Sequence, residues 1–226
     1  MADTRVLAVL WDLDGVIVDS GPYHLRSWEA VFSKRGVPFI EDDFRPVFGM
    51  RSVEIIRRFL GPAATDAEVE TIYREKEETY RSLVKGNIRV LPGVLALLRG
   101  LDVVGFRQAL VTSAPAENVD LVAGTLGIRK FFARIVTGRD VTEGKPNPQG
   151  YLLAAAQLGA PPADCVVMED AVAGVQAARN AGMKCIAVTT TNPAEKLAAA
   201  DIIVSSLAEI GVADIKRLLG ASQDRT

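Results

Sequence analysis

The chain has 226 residues and a net charge of −2, and 49 % of its residues are hydrophobic. This composition predicts a globular protein with one large domain, or one domain that carries an insertion. The charge gives no footprint for nucleic acid or an anionic membrane, and no apolar stretch reaches the roughly 18 residues of a membrane span. The first residues do not resemble a signal peptide, so we expect a cytoplasmic protein without nucleic-acid or membrane partners.

The first part of the chain predicts one strand followed by helices. Residues 5–11 form an apolar run that is typical of a buried strand. From residue 21 to about residue 86 the pattern is helical throughout, with a second helix at 52–60. A capping box, Thr65 to Glu68, opens the third helix.

After Pro92 the pattern changes to strands that alternate with helices, which is typical of a parallel sheet covered by helices on both faces. The predicted strands are 106–112, 134–137, 164–168, 183–188 and 201–204. The predicted helices are 93–101, 117–126, 148–158, 171–181, 193–199 and 206–219. The strand at 5–11 has no other partner, so it must join this sheet. The sequence therefore predicts an α/β protein: residues 1–19 and 88–226 form a core domain with a Rossmann-like parallel sheet, and residues 20–87 form an inserted all-helical cap domain.

Two cysteines occur, Cys165 and Cys185, each within an apolar, strand-like stretch. Such positions favour buried free thiols over a disulfide or a metal site.

Two carboxylates end the first predicted strand. Asp12 and Asp14 are two residues apart, so their side chains can crowd one face of the strand end. Their repulsion requires a bound cation, a shared proton or solvent. Gly15 lets the backbone turn sharply or approach a ligand closely. Taken alone, this motif is more often a strand that ends in a polar turn.

Other polar residues follow further strands of the same sheet, at the edge where open parallel sheets bind ligands. Thr112 and Ser113 follow the second predicted strand, and Glu169 and Asp170 follow the fourth. Lys145 lies between them in a rigid Gly-Lys-Pro turn. Each group alone has an ordinary structural interpretation, as a helix cap or a solvated lysine. Their joint occurrence at strand ends favours a functional site.

These residues suit phosphoryl transfer through a covalent aspartyl phosphate. A carboxylate that approaches a phosphate dianion needs a divalent cation, and Mg²⁺ prefers oxygen ligands. Carboxylates of Asp12 and Asp170 and the main-chain carbonyl of Asp14 can supply such ligands, and Glu169 can ligate directly or through water. Because its side chain stays off the metal, Asp14 would serve as general acid and base.

Two further residues would bind the phosphoryl group itself. Lys145 and the Thr112 hydroxyl would hold its oxygens, and Ser113 could add a donor.

Four segments of the chain resemble the four motifs of the haloacid dehalogenase superfamily. They are Asp12 to Ser20, Leu110 to Ser113, Gly144 to Pro146 and Met168 to Asp170. The resemblance implies that Asp12 is the nucleophile, that Asp14 is the acid and base, and that Thr112 and Lys145 bind phosphate. It also implies that Asp170, with Glu169, binds Mg²⁺, and that the helical insertion is a C1-type cap.

Within the cap, Tyr23 to Trp28 and Gly49 to Ser52 resemble the branch of β-phosphoglucomutases and sugar-phosphate phosphatases. This similarity makes His24, Gly49 and Arg51 candidate substrate-binding residues, together with Ser113. A half-exposed helix histidine and a solvated loop arginine are the ordinary alternatives for His24 and Arg51.

We therefore predict a monomeric, Mg²⁺-dependent phosphatase that acts on a small phosphorylated metabolite, such as a sugar phosphate. A mutase is the main alternative, but mutases of this branch carry a lysine shortly after the second motif, where this chain has Ala114 to Glu117. Dehalogenases lack an aspartate at the position of Asp14. A phospho-aspartate signalling protein would carry its nucleophile later in the chain, and a Rossmann dehydrogenase would need a glycine-rich loop after the first strand.

Overall fold

The computed structural model describes residues 5–221. Its sheet contains six parallel strands in the order β3-β2-β1-β4-β5-β6. The strands are β1 (Ala8–Trp11), β2 (Arg107–Val111), β3 (Arg134–Val136), β4 (Cys165–Glu169), β5 (Lys184–Val188) and β6 (Ile202–Val204). All of them lie within or overlap the predicted segments, and the predicted α/β fold class with a parallel sheet is confirmed.

The central strand β1 determines where the site lies. All its residues are buried, because helices cover both faces of the sheet. In the register of the sheet, Trp11 pairs with both Leu110 of β2 and Met168 of β4. The residues that follow these three strands therefore meet at one edge.

The helices mostly agree with the sequence pattern. They are α1 (Gly21–Ser33), α2 (Glu41–Phe44), α3 (Ser52–Leu60), α4 (Asp66–Val84), α5 (Val94–Val103), α6 (Ala116–Thr125), α7 (Gln149–Leu158), α8 (Val172–Asn180) and α9 (Val212–Leu218). The predicted capping box opens α4, with the Thr65 side chain accepting from the backbone N–H of Glu68.

Three helical predictions need correction. The segment 21–86 is not helical throughout, because extended and turn residues separate α1, α2 and α3. The predicted helix 193–199 is a 3-10 turn, Ala194–Leu197. The predicted helix 206–219 is a 3-10 turn, Leu207–Glu209, followed by α9. Glu209 accepts from the N–H groups of Ser205 and Ser206, which closes that turn before the helix begins.

Helices α1 to α4 form a helical cap with a hydrophobic cluster of its own. Trp28, Phe32 and Phe39 stack in that cluster, and Ile55 and Ile72 pack with them. The two connections between cap and sheet touch each other. Val18 forms an antiparallel bridge with Val90, and the N–H of Leu91 donates to the carbonyl of Ile17 at 2.9 Å.

Two other sequence features can be checked within residues 5–221. Cys165 and Cys185 are buried free thiols, as predicted. In this part of the chain, every helix is too short or too polar to cross a bilayer.

Candidate active site

The carboxyl edge of the sheet carries a cluster of three buried acidic side chains. Asp12 follows β1, Glu169 ends β4 and Asp170 follows it, and one carboxylate oxygen from each lies within 4.8 Å of the others. Oδ1 of Asp170 is buried and has no hydrogen-bond partner within residues 5–221. Three crowded carboxylates with an unpartnered oxygen fit a hard divalent cation such as Mg²⁺.

Lys145 reaches this cluster from the loop before α7. Its Nζ lies 2.5 Å from Oδ1 of Asp12 and 2.6 Å from Oε1 of Glu169. Both carboxylate oxygens of Glu169 also accept hydrogen bonds. The Tyr151 hydroxyl donates to Oε1 at 2.7 Å, and the N–H groups of Asp170 and Ala171 donate to Oε2 at 2.9 Å each. Glu169 therefore orients Lys145, and its oxygens are less available to a cation than those of Asp170.

The proton affinities follow from this crowding. Burial raises the pKa of Asp12 to about 8, Lys145 opposes this shift, and Glu169 and Asp14 add to it. Burial, Glu169 and Asp12 also raise the pKa of Asp170 well above its ordinary value. For Glu169, burial raises the pKa, but the nearby Lys145 ammonium outweighs it and the net pKa is lowered. A divalent cation in the cluster would favour the ionised carboxylates.

Two glycines make room for these carboxylates. A Cβ atom on Gly15, whose φ is +82°, would lie 1.9 Å from Oδ2 of Asp170. A Cβ atom on Gly174, in the first turn of α8, would lie 1.7 Å from Oε1 of Glu169. Gly15 therefore provides the sharp turn that the sequence suggested, and it lets the Asp170 carboxylate lie close to the backbone.

Asp14 faces away from the acidic cluster, toward the cap. Its Oδ1 accepts from the Ser20 hydroxyl at 2.5 Å and lies 3.2 Å from Nε2 of His24. Burial raises the pKa of Asp14, but His24 and Ser20 outweigh it, so the net pKa is lowered. Asp12 and Asp14 thus have pKa values shifted in opposite directions, as separate chemical roles require.

His24 is buried and links Asp14 to the cap helix α4. Its Nδ1 lies 3.0 Å from Nζ of Lys76, and its ring stacks on Tyr80 with centroids 4.0 Å apart. Lys76 in turn pairs with Glu77 at 2.9 Å. The half-exposed alternative for His24 is therefore wrong.

A cavity between cap and sheet brings most of the predicted residues together. The cavity has a volume of about 40 Å³. The predicted residues on its wall are Asp12, Asp14, His24, Gly49, Thr112 and Ser113. Thr112 Oγ1 accepts from the N–H of Ala114 at 3.1 Å, which leaves its own proton free to donate.

The side chains of two predicted substrate-binding residues, Ser113 and Arg51, form hydrogen bonds within the protein. Ser113 donates its hydroxyl proton to the carbonyl of Gly49 at 2.7 Å, which joins core to cap. The Arg51 guanidinium pairs with Glu54 at 2.6 Å and donates to the carbonyl of Val141 at 3.2 Å. Arg51 is absent from the cavity wall, and the solvated-loop alternative also fails, because its side chain is largely covered.

Sequence reasoning missed several polar residues around the cavity. Lys76 and Glu77 lie within α4, and Asn118 of α6 donates to Oε2 of Glu77 at 2.6 Å. Thr191 donates to Asp170, and Tyr151 to Glu169. One signal was available: Ile72, Lys76 and Tyr80 are spaced by four, which places the lysine on the buried face of the helix.

The structure is thus a capped α/β fold with a buried acidic cluster at the carboxyl edge of its sheet. The model of one protein family, described as haloacid dehalogenase-like hydrolase, matches residues 6–182. The chain therefore belongs to the haloacid dehalogenase-like hydrolases, as the motifs predicted.

Similar proteins include both phosphatases and a mutase. Validoxylamine A 7'-phosphate phosphatase of Streptomyces hygroscopicus subsp. limoneus is 32% identical over 89% of this chain and 94% of its own length. The β-phosphoglucomutase of Bacillus subtilis (strain 168) is also 32% identical, over 90% of this chain and 91% of its own length. The crystal structure of β-phosphoglucomutase from Clostridium difficile has a TM-score of 0.87 at 26% identity, covering 96% of this chain and 98% of its own. These relatives confirm the predicted enzyme class, a phosphatase with a mutase as the alternative.

Proposed function

We propose that this protein is a Mg²⁺-dependent phosphatase that hydrolyses a small phosphomonoester, such as a sugar phosphate, through an aspartyl phosphate on Asp12. The observation that carries the proposal is the placement of Asp12 beside Lys145, Glu169 and Asp170, on the wall of the cap cavity. We further propose residues 20–87 as the cap domain, residues 1–19 and 88–226 as the core domain, and a monomer as the active form.

In the first step, a carboxylate oxygen of Asp12 bonds to phosphorus and the bond from phosphorus to the leaving oxygen breaks. Asp14 gives its proton to that leaving oxygen, since it lies on the cap side of the cavity. The phosphate dianion opposes ionisation of Asp14 and so favours the protonated acid when substrate is bound. Lys145 and the Thr112 hydroxyl donate to the phosphoryl oxygens.

In the second step, water replaces Asp12 on phosphorus. Asp14, now ionised, takes a proton from the water, whose oxygen bonds to phosphorus as the bond to Asp12 breaks. The lowered pKa of Asp14 suits this role, because it keeps the carboxylate able to accept a proton near neutral pH. His24 and Ser20 hold the Asp14 side chain toward the cavity.

The acidic cluster fits Mg²⁺ by donor type and by its unpartnered Asp170 oxygen. Asp12, Asp170 and the main-chain carbonyl of Asp14 would hold the ion, with Glu169 as a direct or water-mediated ligand. When bound, the ion supplies positive charge that offsets the repulsion between the Asp12 carboxylate and the phosphate dianion.

A phosphatase is favoured over a mutase by the loop after β2. The chain has Ala114 to Glu117 there, and the Glu117 carboxylate lies 3.7 Å from Arg139 at the surface. Arg51, the basic residue of the cap loop, is engaged with Glu54. The mutase stays as a second candidate because of the similarity to β-phosphoglucomutases.

The test is phosphate release from p-nitrophenyl phosphate and from a panel of phosphorylated metabolites, with Mg²⁺ and with EDTA. We expect repeated, Mg²⁺-dependent turnover, and a phosphoryl group on Asp12 when the reaction is quenched in acid and analysed by mass spectrometry. Isomerisation of β-glucose 1-phosphate that outpaces phosphate release would favour the mutase instead. Uptake of one phosphoryl group without turnover would indicate a signalling protein.

A further inference from the structure

The loop that follows β5 brings two polar side chains to the acidic cluster that belong to none of the four motifs. The N–H of Thr189 donates to the carbonyl of Val204 at 2.9 Å, which ties the start of this loop to β6. Two residues later, the Thr191 hydroxyl contacts the carboxylate of Asp170. Strands β4 and β5 are neighbours in the sheet, so the loop after β5 reaches the residue that follows β4.

Asn192, Thr191 and Asp170 form a chain of hydrogen bonds. The side-chain amide of Asn192 donates to Oγ1 of Thr191 at 3.2 Å and to the main-chain carbonyl of Asp170 at 3.1 Å. Because the amide occupies a lone pair of Oγ1, the hydroxyl proton is directed to Oδ2 of Asp170. The loop therefore holds both the main chain of Asp170 and one of its carboxylate oxygens.

The methyl group of Thr191 packs on the turn after Asp14. A Cβ atom on Gly15 would lie 3.1 Å from Cγ2 of Thr191. Gly15 directly follows Asp14, whose main-chain carbonyl is a proposed Mg²⁺ ligand. Thr191 thus contacts both Asp170 and the turn that carries a second proposed ligand.

The hydrogen bonds of the cluster limit how a cation can bind there. Thr191 donates to Oδ2 of Asp170, whereas Oδ1 is buried and unpartnered in the described part of the chain. Lys145 contacts Oδ1 of Asp12, and both oxygens of Glu169 accept hydrogen bonds. Asp170 is therefore set to bind a cation through one oxygen. Such binding suits Mg²⁺, which requires octahedral geometry, better than Ca²⁺, which takes more ligands and often both oxygens of a carboxylate.

From these contacts we infer that Thr191 is a positioning residue, whose hydroxyl holds Oδ2 of Asp170, leaves Oδ1 for the cation and favours Mg²⁺ over Ca²⁺. Thr191 acts through Asp170, so its loss weakens metal binding and spares the chemistry at saturating Mg²⁺. The inference rests on the proposed Mg²⁺-dependent function and adds to it a residue outside the four motifs.

The test compares Thr191→Ala with Thr191→Ser, because these two variants differ only in the hydroxyl group. Isothermal titration calorimetry with MgCl₂, in the absence of substrate, measures the Kd for Mg²⁺. We expect Thr191→Ala to raise this Kd by about tenfold or more, as is common when the partner of a metal ligand is lost, and Thr191→Ser to stay near the wild type. Thr190→Ala, at an exposed position of the same loop, is the control and should leave the Kd unchanged.

Two further measurements distinguish a positioning role from a structural one. In a titration with CaCl₂, Thr191→Ala should lose less affinity than it does for Mg²⁺, because Ca²⁺ can use both oxygens of the released carboxylate. In assays of phosphate release, Thr191→Ala should need more Mg²⁺ for half-maximal activity and approach the wild-type kcat at saturating Mg²⁺. Near-UV circular dichroism in EDTA checks that each variant is folded.

The outcomes separate this inference from the proposed function. An unchanged Kd for Mg²⁺ in Thr191→Ala, an equal loss in Thr191→Ser, or equal losses of Mg²⁺ and Ca²⁺ affinity would overturn the inference and leave the phosphatase intact. Absence of Mg²⁺-dependent turnover in the wild type would overturn the proposed function instead.

Discussion

The proposed reaction depends on the carboxylate of Asp12, which Lys145 contacts directly at the edge of β1. Asn has the shape of Asp, but its side-chain amide cannot form the acyl phosphate. We predict that Asp12→Asn lowers kcat by about 10³–10⁴-fold, as is common for a group that acts covalently. The measurement is steady-state phosphate release. Asp120→Asn, on the exposed face of α6, is the control and should retain wild-type kcat. Activity of Asp12→Asn above about 1 % of wild type would contradict the covalent role.

Gly174 allows a second prediction at the level of single residues. Gly174→Ala would place a methyl group on the Glu169 carboxylate, so α8 must move or Glu169 must release Lys145. We expect a loss of about 1–3 kcal/mol in the free energy of unfolding, measured by urea denaturation, together with reduced activity.

Gly124→Ala is the matched control, since Gly124 is also helical and a Cβ there meets nothing within 4 Å. This variant should gain roughly 0.5–1 kcal/mol of stability. Equal effects at the two glycines would show that the contact with Glu169 has no energetic weight.

At the level of elements, the cap helix α4 and the core helix α6 meet through Asn118. Its side-chain amide donates to Glu77, and its oxygen accepts from Arg81 at 3.1 Å. Asn118→Ala leaves a buried Glu77 oxygen without its donor, which costs about 1–3 kcal/mol. We predict a matching loss of stability by urea denaturation and a raised KM, because the cap is held less firmly against the core.

Asn87 offers a comparison at the surface. Its side chain donates to the carbonyl of Leu83 in exposed surroundings, so Asn87→Ala should change stability by less than about 0.5 kcal/mol. If Asn118→Ala is as mild as Asn87→Ala, the contact between α4 and α6 does not hold the cap against the core.

Elements that show periodicity were predictable from the sequence, and so were the polar residues that directly follow strands. Asp12, Thr112 and Asp170 were predictable because parallel strands end at one edge. Lys76 was missed because a charged residue in a helix is usually exposed, and its burial depends on the contact with His24. The segment 206–219 was predicted as a single helix, but the side chains of Ser206 and Glu209 bond to the local backbone and end a 3-10 turn before α9 begins.

Arg51 shows a further limit of sequence reasoning. Its position in the cap loop fits a substrate contact, but the direction of its side chain depends on Glu54 and on Val141 of the core. Val141 is distant in the chain, so no local pattern reveals that contact.

For the whole molecule, the acidic cluster predicts that Mg²⁺ stabilises the fold. Three buried carboxylates repel one another. A cation that binds only the folded state, present at 100 times its Kd, adds about 2.7 kcal/mol to the free energy of unfolding. For a chain of this size, each kcal/mol raises the Tm by about 2–4 °C. We therefore expect Mg²⁺ to raise the Tm by about 5 °C or more, measured by calorimetry against EDTA.

Asp170→Asn should lose most of that increase, because it removes a charged ligand with little change in shape. Asp120→Asn again serves as the control and should respond to Mg²⁺ as the wild type does. An unchanged Mg²⁺ response in Asp170→Asn would place the ion elsewhere.

The bridge between Val18 and Val90 has a consequence for how such a protein diversifies. The chain departs from the sheet and rejoins it at a single point, so the intervening helices form a graft on an otherwise continuous scaffold. Exchanging that graft for another would present Asp12 and Lys145 with a new leaving group and leave their own geometry as it was. Selectivity and chemistry can thus evolve on separate parts of one polypeptide.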